Sequence, residues 1–245
     1  MTTKSNLARN DSTFCKGGFL VGKRSLVLLV LLLVGSMCLA AAAESGELIL
    51  PDFLAGKVPA FVDDFDNLDN WIEEEDFEFN QWAITTKGFL KVQDGVLFRE
   101  TAGNSGLKLK NLEIVDAAVA VRIRMAKVPE SGTVGARIHL RNAEMNWCYG
   151  RGINASSYSY ELATWHGKGN DKKAIVGPQS PTAQFTEELG WATITAVIQG
   201  NKLSYYLNGE LIAESDDPES PFAKGGIFLS LTHNMEIDKI AVYTL

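Results

Sequence analysis

Arg122, Arg124, Arg137, His139 and Arg141 occupy alternate positions in two apolar runs. Val119, Val121, Ile123 and Met125 alternate with Ala118, Ala120, Arg122 and Arg124, and Ala136, Ile138 and Leu140 alternate with Arg137, His139 and Arg141. On strands whose apolar set faces a core, the five basic residues face the other way. Glu161 and Trp165 fall on the polar phase of the next long run. Side by side, these residues suit a polyhydroxylated or carboxylated sugar. Guanidinium forks bond hydroxyl oxygens and carboxylates, and a flat ring stacks on apolar C–H surface. Glu161 and His139 are the two groups in the set that suit acid/base work. The plainer alternative is a solvated strand face of compensating charges, since polar-out alternation is the default for an antiparallel sheet.

A second constellation is Glu74-Glu75-Asp76-Phe77-Glu78. On a strand, Glu74, Asp76 and Glu78 share one face, and paired carboxyls about 5–5.5 Å apart are what retaining glycoside cleavage needs. The competing reading is a solvated acidic loop. His166 reads as a loop residue and His233 as a turn residue, neither with a visible partner for nucleophilic catalysis. The three histidines, at 139, 166 and 233, do not have the spacing of a helical zinc motif.

The elements that must position these side chains are strands. The period is two from Phe61 onward, including Tyr158 to Ala163, Trp191 to Ile198, Leu203 to Leu207, Ile227 to Leu231 and Ile237 to Tyr243. Gly200-Asn201 and Asn208-Gly209 read as tight turns. Lys127 to Thr133, with Pro129 and Gly132, separates the two arginine-bearing runs, which predicts that they pair as a hairpin. The only helical candidate is a short turn at 182–189. Together these features predict an all-β sandwich of two antiparallel sheets spanning 61–245 as one domain, after a lead-in at 44–60.

Residues 1–43 read as a secretory signal peptide. Five basic residues precede an uncharged run from Ser25 to Leu39, and Ala40 to Ala43 supplies a small-residue exit. That run is short for a membrane span, which needs about 20 residues, so the alternative is an uncleaved signal anchor. The expected location is exported: periplasmic, cell-envelope or extracellular. Loss of the leader removes five bases and one acid and takes the net charge from −7 to −11. This acidity argues against nucleic acid or an anionic membrane surface as partner. Of three cysteines only Cys148 remains, so the fold stands on its core without an intramolecular disulfide.

Several short runs resemble a known family. They are Asp63-Asp64-Phe65, Trp82 and Asp94-Gly95-Val96-Leu97, then Trp191 and Leu203 to Gly209, then Gly225-Gly226-Ile227 and Ile237 to Val242. Their order resembles the concanavalin A-like jelly-roll superfamily, and within it laminin-G-like domains and 3-keto-disaccharide hydrolase (3-keto-glucoside lyase/hydratase) domains. Tyr160-Glu161-Leu162 is similar to a step of the hydrolase-type domains, with Ala163 where those carry glutamine. The resemblance implies a concave sheet face that binds saccharide. It implies a glycoside hydrolase or lyase-type activity, with Glu161 and His139 catalytic and Arg122, Arg124, Arg137, Arg141 and Trp165 holding the sugar. It also implies a structural calcium, for which Asp63, Asp64 and Asp238 would meet if the first and last strands pair. The alternative it leaves open is a non-catalytic laminin-G-like carbohydrate- or protein-binding module of the cell envelope.

Overall fold

Strands with one apolar face can bury it only against a second layer. The computed structural model describes residues 46–73, 76–79, 82–85, 89–101, 103–126, 135–144, 147–154, 159–166, 171–179, 190–217 and 222–245; over 76–85, at 104 and over 143–179 it describes backbone alone. The leader, the Glu74-Glu75 pair and the helical turn expected at 182–189 lie outside these residues. Among the described residues no helix is long and apolar enough to cross a membrane.

The strands are β1 (Phe61–Asp63), β2 (Trp71–Glu73), β3 (Asp76–Phe79), β4 (Trp82–Thr85), β5 (Leu90–Gln93), β6 (Val96–Arg99), β7 (Asn104–Leu109), β8 (Ala117–Met125) and β9 (Gly135–Glu144). They continue with β10 (Trp147–Asn154), β11 (Ser159–His166), β12 (Asp171–Gln179), β13 (Ala192–Gln199), β14 (Lys202–Leu207), β15 (Glu210–Asp216), β16 (Gly226–Thr232) and β17 (Met235–Thr244). One sheet has the order β15-β14-β13-β8-β17-β6-β5, with β1 also paired to β17; the other has the order β12-β11-β10-β9-β16-β7-β2. We call them the β8 sheet and the β9 sheet. The hairpin β3–β4 forms a small sheet of its own, so Asp76 and Glu78 belong to neither main layer.

The expected all-β sandwich is what forms. Val119, Val121 and Ile123 of β8 and Ile138 and Leu140 of β9 are buried in one apolar cluster with Ile194, Leu229, Ile237 and Val242. Each such side chain contributes about 1.5–3 kcal/mol of burial. Two turns follow the chemistry of their residues. Asn208 and Gly209 have φ of 47° and 80°, and Asp94 and Gly95 have 54° and 74°. Both central residues at positive φ is the turn that matches strand twist in a two-residue hairpin.

The expected hairpin of the two arginine runs does not form. β8 pairs with β13 and β17, whereas β9 pairs with β10 and β16. The chain crosses from one sheet to the other between these strands. Alternation dictates which residues share a face of one strand, but it is silent on which strand lies alongside. His166, expected in a loop, is the last residue of β11, opposite Asp171.

The lead-in packs on the outer surface of the β8 sheet. Leu54 is fully buried with Ala118, Ala120, Val197, Ala241 and Tyr243, and Leu48 and Leu50 pack against them. The Ile49 amide donates to Thr193 Oγ1 at 2.9 Å. Gly209 lets this strap approach, because a Cβ there would lie 2.9 Å from the Leu50 carbonyl oxygen.

Candidate functional site

Because β8 and β9 lie in different sheets, the six charged residues expected on one face divide. Arg122 and Arg124 lie on the outer surface of the β8 sheet; Arg137, His139 and Glu161 belong to the β9 sheet. Residues directly opposite each other in a ladder share a face, so the register defines the outer rows of the β9 sheet. One row runs Gly106, Ser230, Arg137, Gly152, Glu161. The next runs Lys108, Phe228, His139, Gly150, Ala163. Trp165 continues the phase of Glu161 and Ala163 along β11, opposite Cys148.

These rows have an uneven profile. β10 puts glycine in both, Gly152 between Arg137 and Glu161 and Gly150 beside His139. Neighbouring strands are spaced about 4.8 Å apart, so the Arg137 and Glu161 positions face one another across about 10 Å with no side chain between them. We call this glycine-lined lane between the Arg137 and Glu161 backbone positions the trough.

His139 lies in the floor beside the trough. It is 1% exposed, its ring meets Phe228 edge-on at 5.2 Å between centroids, and its Nε2 is 3.2 Å from Ser230 Oγ. Phe228 in turn covers Gly106, where a Cβ would come within 2.0 Å of the ring. Burial, and secondarily the Arg137 charge, lower the His139 pKa to about 3. The imidazole is therefore neutral at physiological pH. His139, expected as a catalytic residue, is placed by the structure in the buried floor of the sheet.

Arg141 leaves the phase altogether. Its φ is 51°, beside a register irregularity between β9 and β16. The side chain turns into the protein edge, where Nε donates to the Val115 carbonyl, Nη1 to the Phe222 carbonyl and Nη2 to Asp116. Gly225 makes room for this, since a Cβ there would lie 2.5 Å from the Arg141 carbonyl carbon. Arg141 is a structural clamp, not a sugar ligand.

On the β8 sheet, Arg122 is buried in an ion pair with Asp238. Arg124 pairs with Glu236, and both guanidinium carbons lie 4.6 Å from the Trp191 ring centroid. Neither can join the trough. Burial raises the Asp238 pKa, opposed by Arg122.

β1 does pair with β17 as expected, but Asp63, Asp64 and Asp238 do not form a calcium set. Asp63 accepts from the Phe65 amide, Asn70 and Trp71, Asp64 pairs with Lys239, and Asp238 faces Arg122. Among the described residues no group of three or more His, Cys, Asp or Glu is placed to hold a metal. Asp63 instead locks the Phe65–Trp71 corner, where the two rings stack 5.6 Å apart.

The sequence reading missed β10, and with it the trough. The available signal was Gly150-Arg151-Gly152, glycine at period two within a strand, which marks a face kept free of side chains. Ser230 and Phe228 gave no signal beyond strand phase.

Two antiparallel sheets packed face to face around one apolar core make a jelly-roll sandwich. Solved structures share it. The glycoside hydrolase family 16 endo-glucanase from Bacteroides ovatus, in complex with G4G3G-2F-DNP, is 14% identical with TM-score 0.59, over 74% of this chain and 99% of that one. Bacillus licheniformis beta-glucanase is 12% identical with TM-score 0.53, over 77% and 100%. LamAcat from Zobellia galactanivorans is 15% identical with TM-score 0.55, over 78% and 99%. At these identities the likeness speaks to the fold, a concanavalin A-like jelly roll. No curated protein matches the chain. Residues 60–242 match the 3-keto-alpha-glucoside-1,2-lyase-like domain, and the chain belongs to that family of 3-keto-disaccharide hydrolase-like domains.

Proposed function

We propose that this is an exported enzyme that cleaves the glycosidic bond of a 3-keto-disaccharide in the trough of the β9 sheet. The observation that carries the reading is the register Arg137–Gly152–Glu161, taken with family membership. A ketone at C3 acidifies the hydrogen on C2. The Glu161 carboxylate takes that proton as general base, and the electron pair moves into the C3 carbonyl to give an enolate. The Arg137 guanidinium stabilises the developing negative oxygen. The enolate then returns its electrons, the bond from C1 to the leaving oxygen breaks, and the protonated Glu161 supplies the proton that the leaving group needs. Trp165, in the same phase of β11 as Glu161, is the residue this proposal assigns to stacking on the sugar. The Asp63, Asp64 and Asp238 carboxylates face Trp71, Lys239 and Arg122.

The test is incubation of the whole chain with 3-keto-sucrose or 3-keto-trehalose in deuterium oxide. Release of the second sugar, with deuterium entering C2 of recovered substrate where the first step is reversible, is expected. Binding with no release of the second sugar would sink the enzymatic reading. One observation favours a second reading, a non-catalytic saccharide-binding module. The burial of His139 keeps one of the two groups expected to transfer protons out of contact with a ligand.

A further inference from the structure

The outer surface of the β8 sheet changes character along its strands. Where the strap covers it, β8 and β17 present Ala118, Ala120, Ala241 and Tyr243. Beyond the strap the same surface carries Arg122, Arg124 and Glu236, with Lys239 in register opposite Arg122 and Asp238, at the register shift of β17, paired with Arg122. There a depression of about 370 Å³ is lined by Gln93, Asp94, Val96, Phe98, Arg124 and Glu236. We propose that this depression is a second saccharide site, for one uncharged hexose-sized unit, on the opposite face of the sandwich from the trough.

Its volume lies within the ~300–1,000 Å³ of small-ligand sites. Phe98 and Val96 are half-buried and give it an apolar floor, the surface that the C–H face of a sugar ring needs. The walls combine a guanidinium, a carboxamide and two carboxylates, which together donate to and accept from hydroxyl groups. The charges select the ligand. One guanidinium stands against two carboxylates, and Arg124 is already paired with Glu236, so a carboxylated or phosphorylated sugar is repelled and a neutral polyol is not. The frame is fixed beforehand. Glu236 lies in register with Phe98 on one side and Arg124 on the other. Arg124 is also held against the Trp191 ring, and Asp94 is fixed in the tight turn after Gln93. A site on rigid strands loses little order on binding.

The experiment is saturation-transfer NMR on the full chain with trehalose, and with glucuronate as the charged comparison. Four proteins are compared: wild type, Glu161→Ala, Phe98→Ala and Gln93→Ala, each checked for an unchanged circular dichroism spectrum. Transfer to trehalose should persist in Glu161→Ala, fall at least threefold in both Phe98→Ala and Gln93→Ala, and be weak for glucuronate throughout. Gln93 is exposed, so its variant keeps the test alive if Phe98→Ala fails to fold. Loss of all transfer in Glu161→Ala, or full transfer in the Gln93 variant, would overturn the second site while leaving the trough reading intact. Transfer that persists in Glu161→Ala and falls in the other two variants upholds this site and leaves the trough, whose proposed substrate carries a 3-keto group, to its own turnover test.

Discussion

His139 and Arg141 stand two residues apart on β9 and both are buried, but burial acts on them differently. Imidazole can shed its charge, and His139 does, down to a pKa of about 3. Guanidinium does not give up its proton in proteins, so Arg141 must be paid in partners and receives two carbonyls and a carboxylate. The sign of the His139 effect follows from linkage. Between about 6.5 and about 3 the unfolded chain binds a proton that the folded chain refuses, so this contribution is whole above that window and is lost as pH falls through it. Denaturant titrations of wild type and His139→Gln test this. Wild type should lose about 2 kcal/mol more than the variant between about pH 6.5 and about pH 5. Equal losses would mean that the imidazole is solvated. Arg141→Ala should cost about 3–5 kcal/mol, because it leaves buried acceptors unpaired. Its saccharide affinity should be unchanged in the protein that remains folded. Weakened affinity would return Arg141 to the binding set. A strand-phase argument could not have revealed this role, since nothing in the residue type announces a φ of 51°.

At the level of elements, alternation made the strands and their buried faces legible: every apolar residue predicted to face the core on β8 and β9 does so. Pairing was not legible. The segment between β8 and β9 has the composition of a hairpin turn, yet the strands part into two sheets, because pairing depends on partners distant in sequence, here β13, β17, β10 and β16. That error placed Arg122 and Arg124 on the wrong face. The lead-in was legible as a segment but not as a strap. Its role emerges only when Leu48, Leu50 and Leu54 are seen filling the outer patch of small residues on β8 and β17. Leu54→Ala should therefore destabilise the domain by about 2–5 kcal/mol, like a core truncation, although Leu54 lies outside the sandwich. Urea unfolding measures it. A loss under about 0.5 kcal/mol would mean that the strap is a passive linker.

For the molecule as a whole, the basic flank, short apolar run and alanine exit predict export with a mature N-terminus at Ala43 or Glu44. N-terminal sequencing of exported protein tests this, and an intact Met1 on membrane-bound material would favour an anchor. Cleavage there leaves the strap, which begins near Leu48, in the mature chain.

The central claim is that the trough of the β9 sheet performs glycosidic cleavage through Glu161 and Arg137. The most direct measurement is the rate at which 3-keto-sucrose releases its second sugar with wild type, Glu161→Gln and Arg137→Ala. Glutamine keeps the shape of Glu161 but cannot take a proton. Glu161→Gln should therefore lower kcat about 10²–10⁴-fold with KM little changed, and Arg137→Ala should lower kcat by about 10²-fold or more through the lost enolate partner. Wild-type turnover retained in both variants, with folding intact, would contradict the account and move the chemistry away from this face.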